Sequence, residues 1–159
     1  MDYKIEAIIV DTDGTMALHT KEERGHFEYS KVSQDRPNWP VINLVRNLFH
    51  LDYLHIFLTG RPDRDNVRAD TEEWYKKHAL LGPLVHKDQV LLMRPGFLKD
   101  NPSKNDYRPD YIVKEEIYRE KIEPFYDVKF AIDDRPQVLK MWQRIGIPTL
   151  AVGTPWIEF

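Results

Sequence analysis

One short stretch constrains this chain more than any other, the sequence AIIVDTDGTMA at residues 7–17. Four apolar residues run directly into two aspartates, Asp11 and Asp13, and then into a Gly-Thr pair. An apolar run of this kind predicts a strand that is buried on both faces. Like charges at the end of a buried strand cost free energy unless a cation or a proton compensates them. The sequence therefore indicates that this strand end holds a compensating group.

The rest of the chain repeats the pattern of a buried strand followed by a helix. Apolar runs with turn or polar residues between them predict further buried strands, and stretches with helical spacing of apolar residues lie between them. This alternation favours right-handed crossovers and a mostly parallel sheet with helices on both faces. We therefore predict an α/β, doubly wound, Rossmann-like fold. The predicted strands are 5–10, 54–58, 90–93, 128–132 and 149–152, and the predicted helices are 41–49, 64–80, 111–122 and 138–145.

Length and composition exclude several classes of protein. The 159 residues fit one domain, so we expect residues 1–159 to fold as a unit. With a net charge of −3, the chain lacks the excess of basic residues found in proteins that coat nucleic acid. Any contact with nucleic acid should therefore be local. The absence of cysteine excludes disulfides and thiolate zinc sites. No apolar run has the length of a signal peptide or a membrane span, so we expect a cytoplasmic protein with no membrane partner.

Polar residues follow three of the predicted strands at the point where each strand ends. Ligands of open α/β sheets bind at the carboxyl ends of the strands, so these residues should share one site. Lys114 can reach the same edge from the helix before the fourth strand. Two other segments, 18–40 and 94–109, are rich in polar and turn-forming residues and should be loops beside the site. The strand-end residues are Asp11, Thr12, Asp13, Gly14 and Thr15, then Thr59, Gly60 and Arg61, then Asp133, Asp134 and Arg135.

The charges of this predicted site favour phosphoryl chemistry. Carboxylates from two strands make an oxygen-rich pocket of the kind that binds Mg²⁺, with Asp133 and Asp134 on the metal side. The metal would let the Asp11 carboxylate attack phosphorus and form an aspartyl-phosphate. Asp13 can then act first as general acid and later as general base.

Two further side chains can bind the phosphate in this scheme. The Thr59 hydroxyl can donate a hydrogen bond to a phosphoryl oxygen, and the Lys114 ammonium can stabilise the developing negative charge. For Lys114 the alternative is a solvated side chain beside Glu115 and Glu116. The Asp133-Asp134 pair can alternatively cap the next helix, and DTDGT alone can form a calcium loop or a simple turn.

The motifs DTDGT, TGR, a lysine and then DD after an apolar strand, in that order, resemble the four-motif signature of the haloacid dehalogenase (HAD) superfamily. The phosphatases of this superfamily are Mg²⁺-dependent and form aspartyl-phosphates. The resemblance implies that Asp11 is the nucleophile. It implies that Asp13 is the general acid/base and also a metal ligand through its backbone carbonyl. Asp133 is then a metal-binding carboxylate, and Thr59 and Lys114 hold the phosphate.

A narrower resemblance covers nearly the whole chain. The stretch RPDYIVKEEIYREKIEPFYDVKFAIDDRPQVLKMWQRIGI at residues 108–147, and RGHFEY from Arg24, are similar to the 3'-phosphatase domain of phage-type polynucleotide kinase-phosphatase. This similarity implies a nucleic-acid repair enzyme that removes 3'-phosphates, and 2',3'-cyclic phosphates in addition, from DNA or RNA ends. It adds Arg24, Arg61 and Asp110 to the site. The arginines would face the substrate phosphate or strand, and Asp110 would orient neighbouring cations.

The sequence also departs from that family. Its members usually carry a kinase with a Gly-x-x-x-x-Gly-Lys-Ser/Thr phosphate loop, and nothing in this sequence resembles one. The sequence therefore leaves open whether the phosphatase acts alone or with a separate kinase or ligase, and it also leaves a homodimer open. The insertion at 18–40 is too short for a large cap domain, which predicts an open site suited to a polynucleotide end.

Several alternatives remain at this stage. The chain can instead be a phosphatase of free nucleotides or other small phosphomonoesters. It can also be a silent sensor of phosphate ends, although such a protein should have lost Asp11 or Asp13. Trp74 and Trp142 have the helical spacing of core residues. A cationic mouth to the site can be formed by Arg24, Arg61, Arg64 and Arg68, although Arg64 and Arg68 can instead lie on a solvated helix face. Three aromatic residues in the loops beside the site can stack on a base or simply pack locally, namely Phe27, Trp39 and Tyr107.

Overall fold

The computed structural model describes residues 4–78 and 89–153. Its secondary structure alternates between strands and helices, as the hydropathy pattern predicts. The strands are β1 (Ile5–Val10), β2 (Ala17–Leu18), β3 (Arg36–Pro37), β4 (Leu54–Asp63), β5 (Gln89–Pro95), β6 (Tyr126–Asp133) and β7 (Thr149–Ala151). The α-helices are α1 (Trp39–Leu48), α2 (Val67–Lys77), α3 (Asp110–Ile117) and α4 (Pro136–Arg144).

Five of the strands form one parallel sheet in the order β5-β4-β1-β6-β7. The first strand is central, and the chain proceeds outward from it in both directions. Every connection between neighbouring parallel strands contains at least one helix, which is the doubly wound arrangement that the sequence predicts. The carboxyl ends of β1, β4 and β6 are therefore adjacent at one edge of the sheet.

Side chains of β1 alternate between two apolar layers. Ala7 and Ile9 pack in a core with residues of α3 and α4, whereas Ile8 and Val10 pack in a second core with residues of α1 and α2. Helices thus cover both faces of the sheet. The predicted core tryptophans lie one in each layer, Trp142 in the first and Trp74 in the second.

The last strand differs from its prediction. The apolar run at 149–152 predicts burial on both faces, but Leu150 is 46% exposed. In the described part of the chain β7 is the edge of the sheet and pairs only with β6, so its hydropathy overstates its burial.

Three predicted segments also differ from the structure in detail. The segment 18–40 is not simply a loop: β2 and β3 form a small antiparallel ladder there, and a 3-10 helix spans Tyr29–Gln34. The predicted helix at 64–80 is observed as α2 up to Lys77, and its last two residues lie outside the described residues. The predicted helix at 111–122 is divided into α3 and a π-helical turn, in which the Glu123 amide donates to the Tyr118 carbonyl at 2.8 Å.

Among the described residues, no helix has the length and apolar character needed to cross a membrane.

Candidate active site

The site begins at the tight loop that follows β1. The Asp11 amide donates to the Ile132 carbonyl at 2.9 Å, which extends the contact between β1 and β6 by one residue. The chain then turns at Gly14, whose φ of +83° is unfavourable for any residue with a Cβ. A Cβ at this position would overlap the Asp134 carboxylate. The glycine of DTDGT is therefore required by both the backbone and the neighbouring strand end.

The Asp11 carboxylate lies at the bottom of the site and is held at both oxygens. It is 4% exposed. The Lys114 ammonium donates to Oδ1 at 2.7 Å, and the Thr15 hydroxyl donates to Oδ2 at 2.9 Å. Burial raises the pKa of Asp11 well above its ordinary value, Lys114 opposes this shift, and the charges of Asp133 and Asp134 add to it. The carboxylate has a fixed orientation and a shortage of positive charge.

Lys114 is the cation of this cluster. It is 2% exposed and also donates to Asp133 Oδ2 at 2.8 Å. Burial lowers the pKa of the Lys114 ammonium, but the carboxylates of Asp11 and Asp133 outweigh it and raise that pKa above its ordinary value. The solvated alternative for Lys114 is therefore wrong, because α3 turns this side chain into the sheet edge.

Three carboxylates share the compensation that Lys114 provides. Ligand oxygens of Asp11, Asp133 and Asp134 all lie within 4.8 Å of one another. Burial, and then the charge of Asp133, raise the pKa of Asp134 to about 6. A group of hard carboxylate oxygens with too little positive charge is the donor set that suits Mg²⁺. These three residues fit the metal that the sequence predicts.

Asp13 lies in a different electrostatic environment. Arg61 donates through Nε to Oδ2 and through Nη2 to Oδ1, both at 2.9 Å, and Arg24 Nη2 donates to Oδ1 at 2.9 Å. Burial raises the pKa of Asp13, but the two arginines outweigh it and hold that pKa well below its ordinary value. Asp11 and Asp13, two residues apart in one motif, thus have pKa shifts of opposite sign.

The structure corrects the predicted cationic mouth. Arg24 and Arg61 are buried, and both also donate to Asp35, at 2.6 Å from Arg24 Nε and 2.8 Å from Arg61 Nη2. They do not reach the exposed surface. Arg68 pairs instead with Asp63 at the end of β4 and with Glu72 on α2, as on a solvated helix face. A polar loop with no periodicity gives no sequence signal for Asp35, and its part in this network was missed.

Asp110 connects two further arginines above Gly60. Its Oδ1 accepts a short hydrogen bond from Arg94 Nη2, and its Oδ2 accepts one from Arg135 Nη1 at 2.9 Å. Arg94 Nε also donates to the Gly60 carbonyl at 2.9 Å. A Cβ on Gly60 would lie 2.5 Å from Asp110 Oδ1, which explains the glycine of TGR. Sequence reasoning missed Arg94, because it ends an apolar strand, whereas Arg135 carried a signal as the residue after DD.

Thr59 is placed near the site but not in the open cleft. It lies at the end of β4, is buried, and accepts a hydrogen bond from the Arg61 amide at 3.2 Å. Among the predicted site residues, those that line the cleft are Asp11, Asp13, Gly60, Asp110 and Arg135. The residues that line it do not include Arg24, Thr59, Arg61, Lys114, Asp133 or Asp134.

The cleft itself is small and open on one side. Its volume is about 130 Å³, and it has the carboxylates of Asp11 and Asp13 at its base. The two segments that the sequence predicts as loops beside the site supply most of its rim. The rim residues are His19, His26, Phe27, Tyr29, Arg94, Tyr107, Arg108, Pro109 and Arg135.

Comparison with known proteins decides the family. Residues 5–155 match the family model described as the polynucleotide kinase PNKP phosphatase domain. The chain belongs to this family of HAD-type phosphatases. Both resemblances noted in the sequence are thereby confirmed, and the parallel sheet with helices on both faces is the HAD fold.

The chain is similar to parts of longer proteins whose names refer to polynucleotide kinase or RNA repair. The chain is 32% identical over 155 residues to the "Putative bifunctional polynucleotide kinase/RNA ligase" of Autographa californica nuclear polyhedrosis virus, covering 96% of this chain and 20% of that protein. A chain in a structure titled "Structure of the Pnkp1/Rnl/Hen1 RNA repair complex" superimposes with a TM-score of 0.78 at 33% identity, covering 94% of this chain and 42% of that one. The phosphatase domain described here therefore spans less than half of each relative.

A more distant neighbour shares the fold alone. The D,D-heptose 1.7-bisphosphate phosphatase of B. bronchiseptica, whose structure is titled as complexed with magnesium and phosphate, has a TM-score of 0.59 at 16% identity. It covers 92% of this chain and 80% of its own.

Proposed function

We propose that this domain is a Mg²⁺-dependent phosphomonoesterase that removes 3'-phosphates from polynucleotide ends through an aspartyl-phosphate on Asp11. Terminal 2',3'-cyclic phosphates are a further substrate class. The observation that carries the proposal is the state of Asp11, a carboxylate that lines the cleft while Lys114 and Thr15 fix its two oxygens. A nucleophile needs this combination of access and fixed direction.

In the first half of the reaction, an Asp11 oxygen forms a bond to phosphorus and the bond from phosphorus to the leaving oxygen breaks. Asp11, Asp133 and Asp134 would hold Mg²⁺, together with the Asp13 backbone carbonyl. When bound, the metal draws negative charge from the nucleophile and from the phosphoryl oxygens. Lys114 also supplies positive charge here, because its ammonium lies 2.7 Å from Asp11 Oδ1. Thr59 would hold a phosphoryl oxygen next to Lys114.

Asp13 handles the protons in both halves. Its carboxyl gives a proton to the leaving oxygen, and the resulting carboxylate then takes a proton from the water that attacks phosphorus and releases Asp11. The three hydrogen bonds from Arg61 and Arg24 favour the carboxylate form. They therefore support the base step directly, whereas the acid step requires Asp13 to leave part of this contact. Arg24 and Arg61 act in this account as positioning residues for Asp13.

Asp110 is a further positioning residue. It accepts hydrogen bonds from Arg94 and Arg135, both of which line the cleft. Its carboxylate thus orients two cations at the rim. A phosphate at Asp11 carries negative charge, and the arginines at the rim favour its entry.

The substrate class rests on the family and on the shape of the cleft. The matched relatives are named for polynucleotide kinase, RNA ligase and RNA repair. A cleft that is open on one side leaves room for the rest of a nucleic-acid strand. We therefore place the domain, residues 1–159, in cytoplasmic nucleic-acid repair, acting on polynucleotide ends together with a kinase or ligase.

Phosphate release from matched substrates tests the proposal. The substrates are oligonucleotides with a 3'-phosphate, a 5'-phosphate or a 2',3'-cyclic phosphate, together with 3'- and 5'-mononucleotides, each with Mg²⁺ and with a chelator. We expect metal-dependent release, fastest from the 3'-phosphorylated oligonucleotide. Faster release from the mononucleotides would move the protein to the alternative function, a phosphatase of free nucleotides. Equal phosphate release with the chelator and with Mg²⁺ would exclude a requirement for the metal.

A further inference from the structure

Two aromatic side chains lie exposed at the mouth of the cleft and have no part in the mechanism above. Phe27 is 68% exposed and Tyr107 is 65% exposed. They come from the separate segments 18–40 and 94–109, and both line the cleft that contains Asp11. Their ring centroids are 6.3 Å apart, with an angle of 78° between the ring planes. Two loops thus bring a pair of aromatic rings to the entrance of the site.

Local contacts hold both rings in place. The Phe27 ring meets the His26 ring edge to face at 5.0 Å, and Asn105 Nδ2 donates to the Tyr107 hydroxyl at 2.9 Å. A single exposed aromatic is common on protein surfaces and requires no function. A pair of rings fixed beside the proposed nucleophile is better suited to ligand binding than a single exposed ring. Rings that are already held in place lose little conformational freedom when a flat ligand binds.

The size of the cleft determines what reaches these rings. Pockets that enclose a drug-sized ligand measure roughly 300–1,000 Å³, whereas this cleft has a volume of about 130 Å³. A phosphate group at Asp11 takes up the interior, and the nucleoside that carries it must lie at the mouth. The mouth offers the two exposed rings of Phe27 and Tyr107.

We propose that Phe27 and Tyr107 form the binding site for the nucleobase of the 3'-terminal nucleotide. The base stacks on one ring and meets the other at its edge, as the near-perpendicular planes allow. Stacking on aromatic side chains accepts every base, because each base has a π face, so the site selects a nucleoside without selecting its sequence. This inference rests on the proposed polynucleotide substrate.

The test removes the base and the rings separately and together. The substrates are two 3'-phosphorylated oligonucleotides that differ only in whether the terminal sugar carries a base. The proteins are the wild type, the double variant Phe27→Ala/Tyr107→Ala, and Phe125→Ala. Phe125 is a matched control, because it is 62% exposed but precedes β6 at the opposite end of the sheet from the site.

For the wild type and for Phe125→Ala, we expect loss of the base to raise KM about fivefold or more, the factor that corresponds to stacking of one base. The double variant should show the raised KM with both substrates, and kcat should change little. Phe27→Tyr should keep the discrimination, and Phe27→Leu should lose part of it, since leucine retains the apolar surface but not the ring.

Two results would overturn the proposal in distinguishable ways. If the double variant still discriminates between the two oligonucleotides as the wild type does, the aromatic pair does not bind the base, while the phosphatase function stands. If the wild type releases phosphate from mononucleotides but from neither oligonucleotide, the polynucleotide substrate and the base site both fail.

Discussion

Replacement of Lys114 by methionine tests the electrostatics of the site most sharply. The side chain of Lys114 is 2% exposed, and its ammonium lies 2.7 Å from Asp11 Oδ1 and 2.8 Å from Asp133 Oδ2. Methionine has a similar length and no charge. The variant therefore leaves the carboxylates of Asp11, Asp133 and Asp134 clustered without their buried cation.

The magnitude follows from the burial of the pair. Removal of one partner of a buried ion pair costs about 3–5 kcal/mol, because the other charge stays buried and uncompensated. For a chain of this length each kcal/mol lowers Tm by about 2–4 °C, so the metal-free Lys114→Met variant should melt about 6–20 °C below the wild type. Lys104→Met, at an exposed lysine, should change stability by less than about 0.5 kcal/mol.

Urea unfolding with a chelator present measures this loss, followed by the fluorescence of the buried tryptophans. The double variant Lys114→Met/Asp11→Asn should be more stable than the sum of the two single variants predicts, by about 0.5–3 kcal/mol, because it removes the unpaired charge as well. Strictly additive effects of Lys114→Met and Asp11→Asn would refute the reasoning. So would a Lys114→Met variant as stable as the wild type.

Three further changes test other parts of the site. Asp134→Asn should reduce the rise in Tm that Mg²⁺ produces in the wild type, because it removes one of three clustered carboxylates; an unchanged rise would contradict the metal site. Gly14→Ala should lower the free energy of unfolding by about 1 kcal/mol or more, and by more than Gly146→Ala, which has a similar positive φ but open space around it; equal losses would exclude the contact with Asp134. The Asp110 carboxyl has a lowered pKa because Lys114 and arginines outweigh its burial, so its stabilisation is present above pH 3.8 and is lost as pH falls below that value; in Asp110→Asn the free energy of unfolding should depend less steeply on pH between 5 and 3, and an unchanged slope would refute this.

Much of the fold could be predicted from the sequence because the sequences of buried parallel strands are continuous apolar runs. The run that ends at Asp11 and the run that ends at Thr59 are adjacent strands, so the residues after them meet at one edge of the sheet. The exposure of Leu150 could not be predicted, because hydropathy does not distinguish an edge strand from a central one.

The parts of the site that escaped prediction depend on contacts between distant loops. Asp35 joins Arg24 and Arg61 only after the segment 18–40 packs over the sheet, and nothing in its local sequence marks it. The same holds for Arg94, whose guanidinium bonds to Asp110 and to the Gly60 carbonyl. Strand ends reveal the carboxylates of the candidate site, whereas the network that orients them requires the folded structure.

The most direct test of the central claim is the turnover of Asp11→Asn on a 3'-phosphorylated oligonucleotide with Mg²⁺. Asp70→Asn on α2 serves as a control outside the site. If Asp11 carries the phosphoryl group, Asp11→Asn should fold, as its unfolding transition will show, and should release no phosphate, while Asp70→Asn keeps full activity. Retained phosphate release by folded Asp11→Asn would contradict the nucleophilic role of Asp11 and with it the proposed mechanism.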